Sequence, residues 1–214
     1  KYNNTSDTPV ENSTRAFSVT VNDGDDHSAA ATFTVTIDAT DAPVLDLDVG
    51  NAGTLNRSAI FIESSGPDVA GNEVAFGESP SIINISDVDS ANLVNLKVSI
   101  PTTGTGSVAS GDELHFGSTV IDITQASASG NLTVGTTAFS YEILTASGVR
   151  TITFTSQAGS PLAPTPALKS VYEALLDGLK YNNTSDTPVE NSTRAFSLTV
   201  NDGEDNSAAA TFTV

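Results

Sequence analysis

Apolar and polar residues alternate along most of the chain. Ala16–Val21 (AFSVTV) and Thr32–Ile37 (TFTVTI) alternate with period two and are rich in β-branched residues and Phe, as a strand with one buried face requires. Similar runs occur at Ala59–Glu63, Ser81–Ser86, Leu93–Ile100, Thr119–Thr124, Ala138–Leu144, Val149–Thr155 and Arg194–Val200. Clusters of Gly, Ser, Asp, Asn and Pro separate them, as turns would. Short, closely spaced strands with polar breaks predict an all-β fold, an antiparallel sandwich in preference to a barrel. One segment changes period. Pro166–Leu179 (PALKSVYEALLDGL) places Leu168, Val171, Tyr172, Leu175, Leu176 and Leu179 on one helical face. Thr165 is in position to cap this helix, Pro166 suits its first turn and Gly178 its end. The spacing predicts one short amphipathic helix, its Leu/Tyr stripe packed on the sandwich.

The pattern also repeats on a larger scale. Residues 1–35 and 180–214 are the same sequence displaced by 179 positions, differing only at Val19/Leu198, Asp25/Glu204 and His27/Asn206. Such identity marks a tandem array of long, recently duplicated units. The chain begins at Lys1 and contains no Met, so we expect a piece of something longer. A break in the strand pattern at Asp38-Ala-Thr-Asp-Ala-Pro43 sets the expected boundary. Residues 1–41 are then the last strands of a preceding repeat plus a linker, and 42–214 nearly all of the next. A hairpin alone is marginal in water, so residues 1–37 are expected to pair with another chain or lie against the neighbouring repeat.

Composition narrows the function. There are 26 acidic side chains against 8 basic ones, a net charge of −18, and no Cys or Trp. Without Cys there is neither a disulfide framework nor a thiolate zinc site. The charge opposes a nucleic-acid interface, which needs clustered Lys and Arg, and no apolar run is long enough to insert into a membrane. Enzymatic motifs are missing: there is no Gly-x-Ser-x-Gly elbow, His-Glu-x-x-His helix or phosphate-binding glycine loop. Of the two imidazoles, His27 is replaced by Asn206 in the duplicate, and His115 lies in an alternating, strand-like context. Asp112 and Glu113 are adjacent in a strand and so face opposite sides, which prevents them from acting as a glycosidase pair. We therefore expect no enzyme.

Two ends of the period resemble a known repeat class. VTVNDG…SAAATFTVTIDATDAPV is similar to the end of a bacterial cadherin-like or immunoglobulin-like repeat with its linker; LDLDVGN, AIFIES and INISDVDSANLVNLKVSI resemble its start, and LLDGLKYNNTSDTPVENSTRAFSLTVNDG its late section. Residues 101–165 match nothing specific. The likeness points to giant, type I-secreted adhesins on the bacterial cell surface, whose extracellular repeats form calcium-stiffened stalks.

Carboxylates collect where such a role would need them. Asp38, Asp41, Asp46 and Asp48 fall within eleven residues around the linker and repel one another unless neutralised. Asp23 and Asp202 sit in the two Asn-Asp-Gly turns, Asp87 and Asp89 follow another strand, and Glu63 ends the run before Ser64. Ca2+ takes six to eight oxygen ligands, several of them carboxylates from short loops. By resemblance, Asp38 and Asp41 match the two acids of a cadherin-type linker, Asp23 and Asp202 the acid of the preceding turn, and Glu63 an acid early in the following domain. Asp46-x-Asp48-x-x-Asn51 is a candidate second site. The plainer alternative is that these residues only form turns and a soluble surface. The expected function is a structural extender, with Ca2+ at inter-repeat linkers and neighbouring repeats as partners. The alternative is a ligand-binding module whose 101–165 region forms recognition loops, with Tyr141 and Tyr172 available for sugar stacking.

Overall fold

The computed structural model describes all residues except 7–9, 11–12, 38–40, 51–53, 64–71, 78–82, 159–162, 186–187 and 190. The chain divides into two compact units, Lys1–Asp41 and Ala42–Val214.

The first unit is an antiparallel hairpin of β1 (Thr14–Val19) and β2 (Ala31–Thr36), with Phe17 opposite Phe33. Their rings stack at 4.9 Å, and Tyr2 meets Phe17 edge-on at 5.6 Å. Between the strands, Gly24 adopts a φ of +108°, a conformation open to a residue without Cβ. Its N–H donates to Asn22 Oδ1 at 2.7 Å.

The second unit begins with β3 (Val44–Asp46), β4 (Arg57–Ser58), β5 (Val74–Ala75), β6 (Asn84–Ser86), β7 (Asn92–Leu93) and β8 (Asn95–Pro101). A run of hairpins follows: β9 (Asp112–Phe116), β10 (Thr119–Asp122), β11 (Ser127–Val134), β12 (Thr137–Ala146) and β13 (Val149–Ala158). The short strands β14 (Ala163–Pro164) and β15 (Ala167–Leu168) lead into α1 (Lys169–Gly178), then β16 (Leu179–Asn183), β17 (Ala195–Asn201) and β18 (Ala210–Thr213). One sheet runs β11-β12-β13-β8-β17-β18-β4 with β14 on β13; a second runs β10-β9-β16-β5. Strand pairs β15-β7 and β3-β6 complete the set. Pairing is antiparallel except where β18 meets β4. This is an all-β antiparallel sandwich with one short helix.

Alternation along the strands builds the core. Leu96, Val98 and Ile100 of β8, Ile152 and Phe154 of β13, and Phe196, Leu198 and Val200 of β17 are fully buried. Phe76 packs at 4.5 Å from Phe212 and 5.3 Å from Phe196. The helix adds Tyr172, Leu175 and Leu176, and Tyr172 meets Phe139 edge-on at 5.2 Å. Apart from Leu168, its Leu/Tyr stripe packs in or against the core.

Two elements differ from the sequence pattern. The helix starts at Lys169, three residues later than the periodicity predicts, because Ala167 and Leu168 are drawn into a ladder with Leu93 and Asn92. Leu168 is consequently exposed and no side chain caps the helix. The Ala59–Glu63 run forms no strand beyond an isolated bridge from Ile62 to Asn72, and Ile60 and Ile62 are exposed. Within residues 101–165, which the ligand-binding alternative would use for recognition loops, β11, β12 and β13 are long paired strands, two of them where the alternation at Ala138–Leu144 and Val149–Thr155 predicts them.

Candidate metal centre

Two turns from distant parts of the sequence meet beside the start of β8. Asp87 follows β6 and closes an Asx turn, its Oδ1 accepting the N–H groups of Asp89 at 3.2 Å and Ser90 at 3.3 Å. Lys169, at the start of α1, fastens this loop by donating from Nζ to the carbonyls of Asp87 and Ser90. Asp202 follows β17 in the Asn-Asp-Gly turn, its Oδ1 accepting from the N–H of Glu204 at 2.7 Å and Asp205 at 2.8 Å. The ladder between β8 and β17 joins the two, with Asn95 opposite Asn201 and the Val94 N–H donating to the Asn201 carbonyl at 2.8 Å. One carboxylate oxygen from each of Asp87, Asp89 and Asp202 thereby lies within 4.8 Å of the other two.

The electrostatics of this arrangement invite a cation. Burial, followed by the neighbouring Asp89 carboxylate, pushes the Asp87 pKa above the usual carboxylate range. Asp87 Oδ2 is buried without a hydrogen-bond partner, and so is Asn95 Oδ1 at the adjoining ladder position. Buried oxygens left in this state are costly unless something supplies the missing positive charge or donor. Every candidate donor is a hard oxygen, which suits Ca2+ or Mg2+ better than a transition metal. The residues present fit a divalent cation of this kind.

The other sequence candidates lie apart from this group. Asp23 forms the same turn as Asp202, accepting from the N–H groups of Asp25 at 3.1 Å and Asp26 at 3.0 Å. Those bonds from Asp26 and Asp25 hold its pKa below the usual range. Among the described residues no second trio of acids joins it. Asp46 accepts the Asp48 N–H at 2.9 Å in a further Asx turn; its expected companion Asn51 lies outside the described residues. Asp38 also lies outside them, Asp41 ends the first unit, and Glu63 is exposed. Turn formation thus occupies Asp23, Asp46, Asp87 and Asp202, and three of the nine candidate residues converge as well. The sequence offered no sign that Asp202 would meet Asp87 and Asp89, nor that Asn95 would lie beside them.

Two polar clusters elsewhere engage further chemistry-bearing residues. Asp112 is fully buried and accepts from Tyr181 Oη (2.7 Å), Asn183 Nδ2 (2.6 Å), Arg194 Nε (2.5 Å) and the Ala109 N–H (2.7 Å). Every oxygen is engaged, which makes it a structural anchor. Burial, then the Asp112 charge, raises the Tyr181 pKa. Glu113, on the opposite face, accepts from His115 Nε2 at 2.9 Å, while His115 Nδ1 meets Glu73 at 2.8 Å. Tyr172 is fully buried, which removes it as a sugar-stacking platform.

Comparison of the chain with family models, with curated proteins and with solved structures finds no match. Among the described residues, no helix is long and apolar enough to cross a membrane.

Proposed function

We propose that the chain is a structural spacer: a tandemly repeated β-sandwich of an extracellular bacterial surface adhesin, stiffened by Ca2+. The observation that carries the cation part is the convergence of Asp87, Asp89 and Asp202, with Asp87 Oδ2 buried and unpartnered. These three residues would hold the ion, whose charge offsets their repulsion and ties the loop after β6 to the end of β17. Three carboxylates supply part of the six to eight oxygens that Ca2+ takes. The 35-residue duplication supports the array, since in a spacer length matters more than individuality. The likeness to cadherin-like adhesin repeats supplies the setting. The linker acids Asp38 and Asp41 remain part of the proposal as a second place for Ca2+ between repeats.

Thermal melts with Ca2+ and with chelator test this. Binding to the folded state alone is expected to raise Tm by about 5–10 °C at a hundredfold excess over Kd. Asp87→Asn with Asp202→Asn should abolish that gain if the cluster holds the ion, whereas Asp38→Ala with Asp41→Ala should abolish it if the linker does. An unchanged Tm in the parent chain would overturn the Ca2+ mechanism. Scattering on two joined repeats tests the stalk: a maximum dimension that does not lengthen with Ca2+ would remove the stiffening role.

A further inference from the structure

We propose that a groove in the second unit is a strand-docking site, shaped to receive an extended Thr-Ile segment continuing β18 beyond Val214. The groove encloses about 880 Å³. Two lengths of backbone wall it, residues 59–62 on one side and residues 192–194 on the other, with Val214 at its end.

Both walls already pair with β18 up to the point where the groove opens. On one side β18 runs parallel to β4, with Phe212 opposite Arg57 and Thr213 opposite Ser58, and the Ala59 N–H donates to the Thr213 carbonyl at 2.8 Å. On the other, Arg194 and Val214 exchange both backbone hydrogen bonds, at 2.7 and 3.0 Å. The next two residues of a strand leaving Val214 would pass between Ile60 and Phe61 on one wall and Thr193 and Ser192 on the other.

The first unit contains this continuation in the same register. There the strand corresponding to β18 runs two residues further: Thr36 pairs with Thr14, the Ile37 N–H donates to the Ser13 carbonyl at 2.8 Å, and Ile37 is only 7% exposed. Ser13 and Ser192 are corresponding positions of the duplication. Each is held by the same local turn, with N–H bonds of 3.3 Å to the carbonyls of Val10 and Val189 respectively. The Ser192 carbonyl is thus placed as Ser13's is.

Strand alternation identifies the side chain received. Ala210 and Phe212 point into the core, so the residue two beyond Val214 shares their face. An Ile there would meet the end of the core at Phe61 and Tyr181, whose rings touch edge-on at 5.5 Å. Both backbone pairing and an apolar pocket therefore specify the occupant, the combination by which sheets accept an added strand. The inference does not rest on the spacer reading or on cation binding.

The 214-residue chain should be compared with one extended by Thr-Ile-Asp-Ala-Thr-Asp, the sequence of residues 36–41. Amide exchange at Phe61 is expected to slow at least tenfold, and Tm to rise by about 3–6 °C. An extension with Pro in place of its Ile lacks the N–H for the Ser192 carbonyl and should lose both effects. Equal exchange and equal Tm for the 214-residue and extended chains would overturn the proposal. So would a dimer of the 214-residue chain that the extension leaves undiminished, which would assign the groove to a second copy.

Discussion

His115 shows how a single residue can acquire a charge that its sequence context does not announce. Both ring nitrogens lie within 2.9 Å of a carboxylate, and only the imidazolium has two N–H donors to satisfy both. Burial works against the charge, but hydrogen bonds and attraction from Glu113 and Glu73 outweigh it and raise the pKa. The bond from Lys180, then that from His115, lowers the pKa of Glu73. A raised folded pKa means that the stability from His115 is fully present below its unfolded value of about 6.5 and is lost as pH rises through the folded value. NMR titration should find His115 titrating above that value, and His115→Gln should flatten the stability profile across this window. Asp112 offers a second test. Removing its carboxylate leaves the buried Arg194 guanidinium without its ionic partner, so Asp112→Ala should cost about 3–5 kcal/mol in urea denaturation. That both residues lie in a strand is legible from their alternating context. Their distant partners, on β16 and in the segments before β17 and β5, are not, because pairing between distant strands leaves no local mark.

Among the elements, the helix separates local preference from tertiary context most clearly. Its existence and buried face follow from apolar spacing alone. Its start does not: competition from the β7 ladder removes Ala167 and Leu168. Gly178 reads in sequence as a C-terminal cap, yet it is the last helical residue, and a Cβ there would strike the Phe116 ring. Ala is the better helix former by about 1 kcal/mol, but overpacking costs about 1–3 kcal/mol. Gly178→Ala is therefore expected to destabilise the protein in urea denaturation, and a stabilised variant would contradict the close approach.

For the whole molecule, the duplication provides an internal control. Phe33 and Phe212 occupy corresponding positions and each faces a Phe across an identical register. Phe33 is 52% exposed whereas Phe212 is fully buried. Phe212→Ala should thus lower the stability of the main unfolding transition by about 3–5 kcal/mol, and Phe33→Ala should shift it by no more than about 0.5 kcal/mol. The all-β class, the helix and the internal duplication were readable from periodicity and self-comparison, because these are properties of consecutive residues. Strand order was not: β8 lies between β13 and β17, and the cation candidate depends on that adjacency.

The acidic residues draw the same line. By itself the sequence determined that the chain is strongly acidic, that its Asp residues gather in turns, and that Asp23 and Asp202 adopt one turn geometry, since an Asn-Asp-Gly turn is closed by its own side chains. Only the tertiary structure decided which acids meet. Asp202 reaches Asp87 and Asp89 because β17 pairs with β8, and no comparable trio forms around Asp23 among the described residues. Turns are made by neighbours in the chain, whereas a cation site requires oxygens that folding alone brings together.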